Sequence, residues 1–334
     1  MSIKTLYVHI PYCDHINGTW YEGALDLYEN EYINRLVSQI DKLPKTLNNI
    51  YVGGGTPTKL THDNLKKLLK ALQKQIKRDV YEFTFEENPL KVDSDKLMLL
   101  QQFGVNRIAL GHQLSNDLDF YNMSDSFKKI KDAGIHNISV DLPYGLPNQT
   151  VDSFLQSLES ILKLKPNHIS LNEFAFDNPL DTKMYLEAIT LLEAHGYDQY
   201  EISNFALESY KSQQNLTYWH YEDYYGLGCQ ASQKIKNTRQ TWTDDIGLYI
   251  TGDYYLEELV LDKEDEMFEY LMMNLRLKSG FKLKEFNDIF NVEFHEYYQK
   301  ILDESKDLIQ IDDETVKASP KGFLLLDELL INFL

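Results

Sequence analysis

Cysteine is nearly absent, with Cys13 and Cys229 alone among 334 residues. Two thiols cannot build the disulfide framework of a small secreted scaffold, so a reducing cytoplasm is the expected compartment. Positive charge is also short. Lys+Arg number 33 against 52 Asp+Glu, a formal net charge of −19. Such a surface repels phosphate backbones and anionic lipid, which argues against a nucleic-acid or membrane-surface protein. No apolar run approaches the roughly 20 residues needed to span a bilayer. The opening MSIKTLYVHIPYC has no basic start, apolar stretch or small-residue cleavage site of a secretion signal. Only five arginines occur: Arg35, Arg78, Arg107, Arg239 and Arg276. There is no internal repeat and no low-complexity tract. What is present is ample core material, 43% hydrophobic and 13% aromatic, in a length that suits one large barrel with a small appendage.

Along the first two thirds, short β-rich runs alternate with amphipathic stretches. Strands are expected at Leu6–Ile10, Asn49–Val52, Glu82–Glu86, Arg107–Leu110, Ile138–Leu142, His168–Asn172 and Gln199–Ile202. Leu65, Leu68, Leu69 and Leu72 share one helical stripe with Thr61 as cap, and Phe154, Leu155, Leu158 and Ile161 share another behind Thr150. Repeated strand–helix units imply parallel strands and right-handed crossovers, hence a TIM-like barrel or a doubly wound sheet. Active groups should then gather at the strands' C-terminal ends. Near residue 255 the rhythm changes. Helices are expected at Asp262–Leu277, Leu283–Phe290 and Phe323–Leu334, with a hairpin over Leu308–Lys317 around Asp312 and Asp313.

Several segments in order resemble one family. They are YVHIPYCDHINGTW (Tyr7–Trp20), GGGTP (Gly53–Pro57), FEENP with Glu86, GVNRIALGHQ (Gly104–Gln113) and DLPYGLPNQT (Asp141–Thr150). GYDQYEISNFA (Gly196–Ala206), YYGLG (Tyr224–Gly228), LRLKSGF (Leu275–Phe281) and the closing KGFLLLDELL complete the series. The chain is thereby similar, over nearly its whole length, to the HemW-type heme-chaperone branch of the oxygen-independent coproporphyrinogen III oxidase family, which are radical S-adenosylmethionine (SAM) proteins. The resemblance implies an α/β fold, a partial TIM-like (β/α) barrel over residues 1–250 and a small α+β C-terminal domain over 251–334.

It also implies a [4Fe–4S] cluster on three cysteines. Here Cys13 stands at the first of those positions, but Asn17 and Trp20 stand at the other two. Cluster iron needs soft thiolates, whereas Asn17 offers a neutral amide and the Trp20 indole no lone pair. The cluster is therefore expected to be absent and Cys13 a relic. Support from His9, His15 and Cys229 is conceivable, since histidines replace two cysteines in Rieske centres. The family's arginine after Gln113 is missing between Leu114 and Lys131. A downstream His-Asn-x-x-Tyr-Trp motif associated with heme reads Gln214-Asn215-Leu-Thr-Tyr218-Trp219, with an amide for the imidazole. His220 beside it is a shifted candidate ligand.

By the same resemblance Tyr7, Gly53, Gly54, Gly55, Thr56, Glu86, Gln113 and Asp141 would line a SAM or nucleoside site. The glycines alternatively form a tight turn, and the acids a hydrated rim. Tyr218, Trp219, Tyr224 and Tyr225 either stack on a porphyrin or plug the barrel, and His112 is a pocket histidine or a new ligand. Tyr249–Tyr255 and Tyr297–Tyr298 are a partner surface or an ordinary solvated face. No catalytic residue is assigned. The expected function is a non-catalytic binder of heme, porphyrin or a nucleoside such as SAM, acting in heme handling with a heme-receiving partner. The alternatives are a coproporphyrinogen oxidase-like oxidoreductase with an atypical iron–sulfur site, and an interaction scaffold without a small ligand.

Overall fold

The structure, a computed structural model, describes residues 2–12, 25–76, 81–111, 117–174 and 180–334. Six parallel strands follow in chain order: β1 Thr5–Ile10, β2 Asn49–Gly54, β3 Glu82–Glu87, β4 Arg107–Gly111, β5 Asn137–Tyr144 and β6 His168–Glu173. Helices α1 Leu25–Ile40, α2 His62–Gln75, α3 Ser94–Gln102, α4 Asp117–Asp132 and α5 Val151–Leu164 join them. Each crossover advances the sheet in the same direction, and right-handed crossovers of that kind put every helix on one face. The other face can only wrap around an interior, as barrels do.

The strand sequences show this division. Leu6, Val8 and Ile10, Ile50 and Val52, Phe83 and Phe85, and Ile108 and Leu110 are buried in the core shared with the helices. The alternate positions carry Thr5, Tyr7, His9, Asn49, Tyr51, Glu82, Thr84, Glu86 and Arg107, and side chains alternate across a strand. The barrel lumen is thus lined with polar groups. Each must find a partner inside.

Helix α6 Asp181–Ala194 leads into β7 Asp198–Gln199 and β8 Asn204–Ala206. The strand expected at Gln199–Ile202 is not a parallel barrel strand. The chain turns at 200–203, and β8 runs antiparallel to both β6 and β7. The fully buried Glu201 causes the turn, accepting the Ser203 amide at 2.8 Å and a hydrogen bond from the Asn204 side chain. Helix α7 Gln213–Trp219 then precedes β9 Tyr225–Leu227, which pairs parallel with β1. The sheet order β7-β8-β6-β5-β4-β3-β2-β1-β9 leaves the barrel open between β9 and β7.

Strands β10 Ser232–Ile235, β11 Thr238–Trp242 and β12 Tyr255–Val260 form an antiparallel sheet, with α8 Ile246–Thr251 between the last two. The C-terminal part has its own core of Met267, Leu271, Phe286, Phe294 and Leu329. Its elements are α9 Lys263–Asn274, β13 Phe281–Lys282, α10 Leu283–Phe290, α11 Phe294–Tyr297, α12 Gln299–Glu304, β14 Ile309–Ile311, β15 Thr315–Ala318, α13 Pro320–Leu324 and α14 Leu326–Ile331. The single last helix expected over Phe323–Leu334 is two short ones, divided at Leu325. Thr150 caps α5 as expected, but the Thr61 hydroxyl bonds Glu29 of α1 instead of capping α2.

The tyrosines of 249–255 do not form one surface. Tyr249 is fully buried against Tyr32 and Trp242, while Tyr254 is exposed. Tyr298 is buried and Tyr297 exposed in the same way. No described helix is long and apolar enough to cross a membrane.

Candidate functional site

The mouth lies at the C-terminal ends of β1, β2, β3 and β5. Register sets Tyr7 opposite Tyr51 and His9 opposite Gly53. Tyr7 Oη and His9 Nδ1 are 2.8 Å apart. Burial holds the His9 imidazole near pKa 4, so it is neutral at pH 7. Tyr51 donates its hydroxyl to Glu86 Oε1 at 2.7 Å, and the Gly54 amide donates to Oε2 at 2.8 Å. Burial nevertheless raises Glu86 to about 7, because those two donors offset only part of the desolvation and the Asp141 charge adds to it. Asp141 is raised by burial, against a hydrogen bond from Ser170 and the Arg107 charge.

The triple glycine is explained by its neighbours. A Cβ on Gly53 would stand 2.6 Å from the Glu86 carboxyl carbon, and one on Gly54 would stand 2.7 Å from the His9 ring. Gly54 also has φ +112°, a conformation costly for residues with a Cβ. The loop's amides are engaged within the chain: Gly54 with Glu86, Gly55 with the Ile10 carbonyl at 2.9 Å, and Thr56 with the Tyr12 carbonyl at 2.5 Å. Glu86 and Asp141 do converge. Cys13, His15, Asn17, Trp20, His112 and Gln113 lie outside the described residues.

The floor lies at the strands' N-terminal ends, and α7 closes it. Glu82 Oε2 accepts the Gln213 amide at 3.2 Å at the start of that helix. Arg107 Nη1 stands 3.2 Å from Ser212 Oγ and 3.5 Å from Glu82 Oε1, with both charged side chains almost fully buried. His168 Nδ1 meets Ser139 Oγ at 2.8 Å, and its Nε2 meets Tyr200 Oη at 2.9 Å. Burial and the Arg107 charge hold His168 well below its ordinary range. Thr217 Oγ1 touches Thr5 Oγ1 at 3.1 Å on the far side of the plug.

The heme candidates sit on or beside α7, the helix that closes the floor, and the buried Tyr218 reaches from it into the lumen within charge range of Tyr7 and Glu86. Gln214 is buried and donates to Tyr218 Oη at 2.6 Å. Asn215 hydrogen-bonds Tyr200. Tyr218 and Tyr224 meet edge-on at 4.6 Å, and Tyr225 belongs to β9. The Trp219 ring stacks under the Arg276 guanidinium at 4.5 Å. His220 is exposed just beyond the helix. It opens on a cleft of about 320 Å³ with Lys4, Tyr81, Leu216 and Glu222. Behind Tyr218 and Trp219 lies a pocket of about 240 Å³ bounded by Tyr224, Lys234, Arg239 and Met273.

Cys229 is fully buried, donates its thiol toward the Thr243 carbonyl at 3.0 Å, and is pushed up to about 12 by burial. It is not a thiolate at neutral pH. Sequence reasoning missed Tyr51, Glu82, Arg107, His168 and Tyr200. The signal was available in EFTFEE, whose polar residues alternate with phenylalanines and so point into the lumen.

A parallel barrel with a polar lumen, a glycine-lined mouth and a short α+β tail is a radical SAM-type scaffold. The HemN C-terminal domain family matches residues 261–325, and the Radical SAM superfamily matches 11–161. The fold is that of a solved structure described as "Coproporphyrinogen III oxidase (HemN) from Escherichia coli is a Radical SAM enzyme", with TM-score 0.82, 21% identity, and coverage of 99% of this chain and 90% of that one. Two relatives named "Heme chaperone HemW" are each 31% identical. The one from Lactococcus lactis subsp. lactis (strain IL1403) aligns over 99% of this chain and 97% of its own length. The one from Bacillus subtilis (strain 168) aligns over 99% of both. The chain belongs to the HemW family.

Proposed function

We propose that this chain is a heme-handling binding protein that performs no radical chemistry. The observation that carries the reading is the donor set at the family's cluster positions. Cys13 is one thiol, Asn17 brings an amide and Trp20 an indole, and neither of the latter ligates cluster iron. Cys229 is no substitute, being buried and protonated. A [4Fe–4S] cluster does not fit these residues.

Heme as cargo draws its support from relatives that carry the heme-chaperone name and match along the whole chain. On the floor, Gln214 is a poor axial ligand, tied up with Tyr218 and carrying only an amide. His220 is exposed beside the 320 Å³ cleft, where Lys4 is a cation for a propionate and Tyr81 a ring for a porphyrin face. The 240 Å³ pocket falls below the roughly 300–1,000 Å³ of ordinary ligand sites. A nucleoside or SAM at the mouth would meet Glu86 and Asp141 rather than loop amides, since those amides are engaged.

Heme titration tests the reading. A shifted Soret band is expected in the native chain, changed in His220→Ala and unchanged in Gln214→Ala. No shift at micromolar heme refutes heme binding. Four irons and four sulfides per chain after anaerobic reconstitution, or 5′-deoxyadenosine formed from SAM, refutes the absence of radical chemistry.

A further inference from the structure

Strand β12 is the outer strand of its sheet, and no described strand pairs with its free edge. Its sequence YLEELV contains neither proline nor lysine, the usual blocks on an edge strand. Residues 256–260 are exposed on both faces, with Leu256 at 63%, Leu259 at 44% and Val260 at 71%. Such a strand gains nothing from core burial. It is held by the β11 ladder, which is interrupted by a register shift at Thr241/Trp242, and by Tyr255 packed on Trp242 at 4.6 Å. An edge strand presents unpaired N–H and C=O groups, and here three aliphatic side chains stand exposed beside them.

We propose that the free edge of β12 docks an extended segment of a partner protein, which adds as a fourth strand with basic side chains alternating with aliphatic ones. Main-chain hydrogen bonds supply the attachment in strand addition, and alternate side chains supply the selectivity. Glu257 and Glu258 are adjacent, so they project to opposite faces. A lysine or arginine on either face of the added strand therefore meets a carboxylate. Gln240 already hydrogen-bonds Glu258 across the sheet, which fixes that carboxylate in place. A second copy of this chain is the wrong occupant. Antiparallel self-pairing about the strand centre sets Glu257 against Glu258 of the other copy, between chains of net charge −19. This surface is distinct from the mouth and floor, so it stands or falls apart from heme binding.

The probe is a labelled eight-residue peptide alternating lysine and valine, with a glutamate–valine peptide as control, titrated onto the full chain by fluorescence anisotropy. Amide hydrogen exchange locates the contact. The lysine peptide is expected to bind, to protect amides within 255–260, and to weaken as salt is raised. Glu257→Lys/Glu258→Lys should weaken it at least tenfold. Glu304→Lys/Glu328→Lys, an exposed pair with the same change in net charge, should weaken it no more than twofold. Any of three results overturns the proposal: no protection of β12 at millimolar peptide, equal loss in both double variants, or equal binding of the glutamate peptide. A dimer of the free chain that forms through β12 also overturns it.

Discussion

The two neighbouring glutamates of β3 should make this protein less stable as pH rises from about 4.5 to about 7. Glu86 faces the lumen and Glu87 faces the helices, where it is buried and accepts the Thr58 hydroxyl at 2.7 Å. Burial is the leading cause in both, and each is raised from an ordinary 4.5 to about 7. The folded state therefore holds these protons more tightly than the unfolded chain does. Stability from this source is complete below pH 4.5 and is lost as pH climbs to 7, after which the loss levels off. At ~1.4 kcal/mol per tenfold change in proton affinity, each group accounts for about 3 kcal/mol between those limits.

Glu87→Gln is the cleaner perturbation, because its amide oxygen still accepts from Thr58 and the substitution carries no charge to desolvate. Urea unfolding of native chain and variant from pH 5 to 8.5 should give curves that diverge with pH, the variant becoming relatively more stable by about 2–3 kcal/mol at the alkaline end. Self-repulsion at net charge −19 acts almost equally on both chains and cancels in the difference. A difference that stays constant across the range, or native stability that rises relative to the variant, refutes the reasoning.

Arg107→Met leaves Glu82 buried without its cation, and equilibrium unfolding should show a loss of about 3–5 kcal/mol. Adding Glu82→Gln in the same chain should recover part of that loss. Gly53→Ala drives a methyl against Glu86 at 2.6 Å and should lower the urea midpoint by about 1–3 kcal/mol worth of stability. Cys229, pushed up to about 12 and fully buried, should resist thiol reagents at pH 8 until the chain unfolds. Stopped labelling followed by peptide mass mapping checks this.

The barrel strands were readable because their outward faces are apolar at alternate positions and their helices carry a continuous leucine stripe. Both patterns are local. The C-terminal helix Leu283–Phe290 was readable for the same reason, ending at Asn291 in a left-handed conformation. The turn at 200–203 was not. QYEI has the β-rich look of a strand, and only the tertiary partners of Glu201, chiefly Arg276 at 3.2 Å from a distant segment, show why it bends. The floor was hidden for a related reason. Ser212, Glu82 and Arg107 are far apart in the chain, and nothing near any one of them announces that they meet. Aromatic residues misled by number. A run of tyrosines reads as surface, yet Tyr249 reaches Gln39 through a buried hydrogen bond.

The energetics separate the scaffold from the cluster. In small metal-dependent domains the binding free energy of the metal is the folding free energy, so losing the ligands means losing the fold. Here several groups among the described residues tie the sheet together. Glu82, Arg107 and Ser212 fasten α7 beneath the strands, His168 joins Ser139 to Tyr200, and Tyr32 links the His9 carbonyl to the Cys229 amide at 2.8 and 2.9 Å. The core between sheet and helices likewise closes on Leu6, Val8, Leu36, Ile50 and Leu68, all fully buried. On the reading proposed above, replacing cluster cysteines would remove a reaction without removing the container. These ties span the barrel from floor to mouth, where burial raises both Glu86 and Asp141.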